Sequence, residues 1–289
     1  MAFMTIRGLS GAFVALLLIV VVGQASFGSG RAAEERMDCL RFSRVVLMGF
    51  TVANPDYSPE FTLVGPDACG RDAFDGSLWL GLGPRMASTW PHEAPMVMTE
   101  FRQDASGYLN LPQAAPWYMT ELLTRIGNPD VKPDNRRTAD LLKGTNWSNH
   151  LVHAVVELKK PLPEEQAAKL YTIQSGEVLL LSPGNGEKPI GWPFAFPGMI
   201  GAFNVFTSPR STSRISEFRR WVSLLREEDS HALKVIGLSL QTLRSTAAEG
   251  MVHGFTIINA PDVIQRLAKN PLVRAVEVVE IVPIEEPDA

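Results

Sequence analysis

Gly250-Met251-Val252-His253-Gly254-Phe255-Thr256-Ile257-Ile258 opens the stretch on which the fold turns. Met251 to Ile258 is rich in β-branched and aromatic residues and reads as a strand. Pro261 then starts a helix that carries Val263, Ile264 and Leu267, and Asn270-Pro271 stops it. Val273 to Val282 is a final strand, followed by the acidic tail Glu285-Glu286-Pro287-Asp288-Ala289.

Towards the N-terminus two helical runs precede this unit. From Ser213, residues Ile215, Phe218, Trp221, Val222 and Leu225 share a face, while Arg219, Arg220, Arg226 and Glu227 lie largely off it. From His231, residues Leu233, Ile236, Leu240 and Leu243 continue the pattern, and Gly250 is placed to end it. Further upstream, Val152, Ala154, Val156 and Leu158 alternate with His153 and Glu157, the pattern of a half-buried strand. Pro161-Leu162-Pro163-Glu164-Glu165 opens a short helix, and Glu177 to Leu181 is a second strand. The order strand–helix–strand, two helices, strand–helix–strand predicts an α+β half. Its two units would pair as a ferredoxin-like split βαβ sheet, with helices on one face and right-handed crossovers. That half spans 148–289 and is expected to fold as its own unit.

Three pieces of this half resemble the C-terminal domain of bacterial sigma-factor regulators. Ala154-Val155-Val156-Glu157-Leu158-Lys159-Lys160-Pro161-Leu162 is similar to that family's opening strand and lysine–proline turn. Gly191-Trp192-Pro193-Phe194-Ala195-Phe196-Pro197-Gly198 resembles its aromatic loop. The strand from Gly250 to Ile258 and the run Leu267-Ala268-Lys269-Asn270-Pro271-Leu272-Val273-Arg274-Ala275-Val276-Glu277-Val278 resemble its closing unit. The resemblance covers roughly 148–284 and implies an extracytoplasmic sensory or regulatory domain that catalyses nothing. The family carries a cytoplasmic sigma-binding segment before its membrane helix; here only about ten residues precede the apolar core of the N-terminal segment.

That N-terminal segment fits the envelope. No charge occurs between Arg7 and Arg31, and Ala12 to Val22 is unbroken apolar sequence. Residues 1–30 therefore read as a secretory signal or as a retained membrane anchor. Between them and the C-terminal half, residues 31–147 read as irregular and β-rich. Val45-Val46-Leu47-Met48 suits a strand, Ser77-Leu78-Trp79-Leu80 a second, Pro116 to Ile126 a short helix, and Val131 to Thr145 a polar loop.

The chemistry is sparse. A net charge of −4 with no basic run longer than two residues excludes a nucleic-acid face. No nucleophile elbow, phosphate loop, dinucleotide fingerprint or His-Glu-x-x-His is present, so no catalytic residue, cofactor or metal is expected. His150, His153 and Glu157 are spaced so that the two imidazoles point to opposite faces of a strand, which disfavours a metal site. His231 beside Glu227, Glu228 and Asp229 reads as a solvated helix end, and His253 as an ordinary strand position. Trp192, Phe194 and Phe196 are the candidate residues for binding a protein partner at the cell envelope, if they are not folded back over the sheet. The alternatives are a secreted hydrolase using scattered residues such as His92, Glu100 and Asp104, and a passive envelope-binding module.

The two cysteines, Cys39 and Cys69, are expected to form a disulfide in an oxidising compartment. Closing a loop of about 30 residues stabilises by about 3 kcal/mol in the chain-entropy picture. Thiol labelling of the denatured, unreduced protein should find no reactive thiol; two labelled cysteines per chain would refute the bridge.

Overall fold

The computed structural model describes residues 37–60, 75–85, 97–133, 135–143, 149–171, 176–193 and 213–284. The N-terminal segment 1–30, Cys69, His92, Phe194 and Phe196 lie outside them. No helix among the described residues is long and apolar enough to cross a membrane.

The described chain begins with a helix where a strand is expected. Cys39–Phe42, Ser43–Leu47 and Met48–Ala53 run on as one helix, α1, with a π-helical middle. The carboxylate of Asp38 caps its start by accepting from the Arg41 amide at 2.8 Å. The apolar run misleads because it is apolar all round. Phe42, Val45, Val46, Leu47, Met48, Phe50 and Val52 are all buried, and periodicity cannot separate a wholly buried helix from a buried strand.

Four antiparallel strands follow in simple order: β1 (Tyr57–Glu60), β2 (Ser77–Pro84), β3 (Val97–Gln103) and β4 (Leu109–Asn110). Leu78, Leu80 and Leu82 of β2 and Phe101 of β3 point into the core. Two helices complete this part. α2 (Tyr118–Thr124) lies where Pro116 to Ile126 predicts it. α3 (Asn135–Leu141) occupies the stretch expected to be a polar loop.

The C-terminal part carries β5 (His150–Pro163), α4 (Glu164–Ala167), β6 (Gly176–Leu180) and β7 (Gly191–Pro193). Then come α5 (Arg214–Ser223), α6 (Ser230–Ile236), α7 (Leu240–Glu249), β8 (Met251–Asn259), α8 (Pro261–Ala268) and β9 (Val273–Pro283). Its five strands form one antiparallel sheet in the order β7-β6-β8-β5-β9. The chain is thus α+β, with two antiparallel sheets. Start and stop signals act where expected. Ser213 caps α5 through its own side chain, and Gly250 closes α7 at φ +60°. That left-handed backbone favours glycine, and a Cβ there would also push against the Arg219 guanidinium.

The helices of the C-terminal part gather on one face of this sheet, and a helix from the N-terminal part covers the other. Val152, Ala154, Val156, Phe255, Ile257 and Val276 face one side, where α5, α7 and α8 supply Phe218, Trp221, Leu243, Ile264 and others to the same cluster. Val155, Val178 and Leu180 face the other side, where α2 covers them with Met119, Leu122 and Leu123. The edges are covered too. α1 packs beside β7, and Gly191 comes so close to Pro55 that a Cβ would sit 2.4 Å from its ring. On the far edge α3 packs on β9, where the Thr138 hydroxyl donates to the Val276 carbonyl at 2.5 Å.

The core does not stop at the expected boundary near residue 147. One buried cluster joins Phe42, Val46 and Phe101 with Trp192, Phe218 and Trp221. The Trp221 indole donates to the Arg44 carbonyl at 2.9 Å, across 177 residues of sequence. Trp192, expected as a candidate for an exposed aromatic patch, is only 1% exposed and stacks against Phe218 and Trp221 at ring separations of 5.4 and 5.8 Å.

A fragment of residues 148–289 is therefore expected to unfold without a cooperative transition, while the whole chain unfolds with one. Urea titration followed by tryptophan fluorescence checks this; a sharp fragment transition would show that the C-terminal sheet needs nothing from the N-terminal part. In the whole chain, Trp192→Ala should cost about 3–5 kcal/mol.

Candidate functional site

The main concentration of charge inside the molecule sits on the sheet face that α2 covers. His153 of β5 is 0% exposed, because β5 is central and dry on both sides. Register places it directly opposite Glu280 of β9, with Nδ1 3.4 Å from the Glu280 carboxylate. From β6, across β8, Glu177 brings a carboxylate oxygen to 3.0 Å from Nε2. A bulge between Gly176 and Val178 offsets that strand at Glu177.

Two carboxylates on one imidazole favour its doubly protonated form, in which each ring nitrogen donates. Burial alone pulls the His153 pKa down, but hydrogen bonds to Glu177 and Glu280, together with their charges, outweigh it and raise the pKa above 6.5. For Glu177, burial pushes up, yet the hydrogen bond and charge of His153, and then Arg85, hold the carboxyl below its usual 4.5.

Arg85 extends the cluster into the N-terminal sheet. It follows β2 directly and is buried, and its guanidinium donates to the carbonyls of Pro55 and Tyr57, both at 3.1 Å. Burial lowers its pKa, opposed by the charges of Glu177 and Asp56. Asp56, fully buried in the turn after α1, accepts from the Thr120 hydroxyl of α2 and lies 3.2 Å from Lys188 Nζ. Lys188, in the loop from β6 to β7, also reaches the Asn54 side chain. With His153 charged, three cations (His153, Arg85, Lys188) face three anions (Asp56, Glu177, Glu280). A buried network of this kind stabilises only while it stays balanced.

A second clamp lies farther along β5. The Arg274 guanidinium donates to Glu157 at 2.6 Å and to the carbonyls of Asn128 and Val131, while the Gly127 amide donates to the same Glu157 oxygen at 2.7 Å. This pins the loop after α2 to the sheet. Elsewhere Glu164 caps α5, accepting from the Ser213 hydroxyl and from the amides of Arg214 and Ile215.

The residues singled out from sequence are dispersed. His150 and His153 do not share a metal site, and no group of three or more His, Cys, Asp or Glu side chains among the described residues is arranged to hold a metal ion. Glu100 lies on β3 opposite Trp79, and one Asp104 oxygen is occupied by Ser106 and the Tyr108 amide. His231 is exposed, and His253 is half-buried with its pKa lowered by burial. Cys39 is buried in α1, and no cysteine is free among the described residues. Sequence reading missed Arg85, Asp56, Glu177 and Glu280 as partners of His153. The available signal was His153 itself, a polar residue between Val152 and Ala154, with Val155 after it on the same face. No protein family, no curated protein and no solved structure matches the chain.

Arg85→Met should cost about 3–5 kcal/mol by stranding buried carboxylates. Adding Glu177→Gln should recover part of that loss, a non-additivity that a double-mutant cycle in urea would measure; strictly additive losses would show that the two charges do not communicate.

Proposed function

We propose that this chain is an extracytoplasmic regulatory or sensory protein that acts by binding another protein at the cell envelope. The observation that carries the reading is an apolar patch on the outward face of the four-stranded sheet. Trp79 is 55% exposed and Met98 46%, although the inward residues Leu78, Leu80, Leu82 and Phe101 of the same strands are buried. Met98 stands opposite Gly81, which offers no side chain to cover it, and Glu100 and Arg102 stand opposite Trp79 and Ser77. An exposed aromatic flanked by opposite charges is the composition of a protein-binding hot spot. The interior histidine supports a non-catalytic reading, because a fully buried imidazole bound to two carboxylates has no route to a substrate.

The likeness to the sigma-factor regulator domain belongs to the same proposal, and the three pieces that carry it contribute to β5, β7, β8 and β9. Leaving aside the short edge strand β7, the order β6-β8-β5-β9 supports a ferredoxin-like arrangement for the C-terminal sheet. The apolar run Ala12 to Val22 supports the location, as a cleaved signal or an anchor.

Crosslinking in intact envelopes tests the reading. Trp79→Ala combined with Met98→Ala should abolish one specific crosslinked product while leaving the urea midpoint within about 0.5 kcal/mol of wild type. An unchanged crosslinking pattern in that variant, or turnover of an envelope substrate by the purified protein, would overturn it.

A further inference from the structure

The cluster around His153 ties together strands that are remote in sequence. His153 joins β5 to β9 through Glu280 and to β6 through Glu177. Arg85, held to the carbonyls of Pro55 and Tyr57, fastens the end of β2 to the turn after α1. Asp56 and Lys188 tie the turn after α1 to the loop that enters β7. We propose that His153 is a proton-operated latch, closed while its imidazole is charged and released when the proton leaves, which controls how firmly β6 and β9 are held together across β5 and β8. The proposal goes beyond the binding function above and stands whether or not the outward face of β2 and β3 engages a partner.

The geometry gives the direction. Losing the imidazole proton leaves two cations, the buried Arg85 and the half-buried Lys188, against the buried Asp56 and the half-buried Glu177 and Glu280. The neutral ring keeps one N–H, so one of the two carboxylates is left facing a bare nitrogen of a ring that is itself fully buried. The surroundings supply no replacement. On β9, Glu277 lies opposite Val155 on the same face, where Arg125 from the end of α2 lines the same small cavity. On β5, Glu157 is engaged by Arg274. On β8, the positions beside the site are Thr256 and Ile258, which do not titrate. On α2, Thr120 is a neutral donor to Asp56.

Linkage then fixes the pH window. The folded-state pKa of His153 is raised, so its contribution is complete below about 6.5 and drains away as pH climbs through the raised value. That of Glu177 is lowered, so its contribution is complete above about 4.5 and is lost only as pH falls through the lowered value. The latch is closed in mildly acidic conditions and opens towards alkaline ones.

The whole chain should be titrated between about pH 5.5 and pH 9.5, following the urea midpoint and the imidazole NMR resonances together. The chain has five histidines, and His153→Gln assigns the resonance of interest. We expect that resonance to titrate above 6.5, and the wild-type midpoint to fall across the same interval. His153→Gln should have a lower midpoint at about pH 6 and lack that fall. Amide exchange in β6 and in β9 should quicken above the transition in wild type. If His153→Gln does not fold, Glu280→Gln serves instead, and should move both the resonance and the midpoint transition to lower pH. A His153 ring titrating at or below 6.5, or a midpoint that falls equally in wild type and Glu280→Gln, overturns the latch.

Discussion

A central strand that is dry on both faces imposes its needs on everything around it. β5 has a neighbour on each side, helices α5, α7 and α8 supply the cluster over one face, and α2 covers the other. A sheet can be buried in this way only if the chain provides enough apolar surface for two layers. The C-terminal part by itself provides one. The second layer, and the cover over both edges, come from α1, α2 and α3, which precede β5 in sequence. The N-terminal part is therefore a cladding that the sheet requires, and the hydrogen bond from Trp221 to Arg44 is one of its fastenings.

The same burial explains why charge inside the molecule is clustered. A lone imidazole at His153 would be driven neutral by desolvation, and a lone carboxylate at Glu177 would be protonated. Together they hold one another charged, and Arg85, Lys188 and Asp56 extend the balance to the four-stranded sheet. Such networks contribute modestly to net stability but punish any arrangement that breaks their pairing.

Much of the C-terminal half was legible in its sequence. Alternation from Val152 to Leu158, the Ser213 cap, the Gly250 stop, and Pro261 at a helix start all act locally, so local reading finds them. What depended on distant partners was not legible. The run Val45-Val46-Leu47-Met48 reads equally well as a strand, and only the core on every side of it makes it a helix. Val131 to Thr145 reads as a loop because α3 is polar, and its reason to be helical is the β9 edge that it covers. Trp192 looked like a contact residue because its neighbours are prolines and aromatics, yet it fills the space between Phe218 and Trp221. His153 was visible, but its partners at positions 177 and 280 become neighbours only through strand register. The patch at Trp79 was hidden for the same reason: nothing in the alternation of β2 says which of its faces the rest of the chain leaves bare.

The hydroxyl of Thr138 on the Val276 carbonyl has a consequence beyond the single molecule. β9 is long, apolar and outermost, the kind of strand onto which a second chain can add its own and begin a growing fibre. With α3 laid against it and one of its outward carbonyls already engaged, that surface is a poor template. Copies crowded together in a confined compartment can then meet through side chains, where recognition is selective, and not through backbone, where any sequence will do.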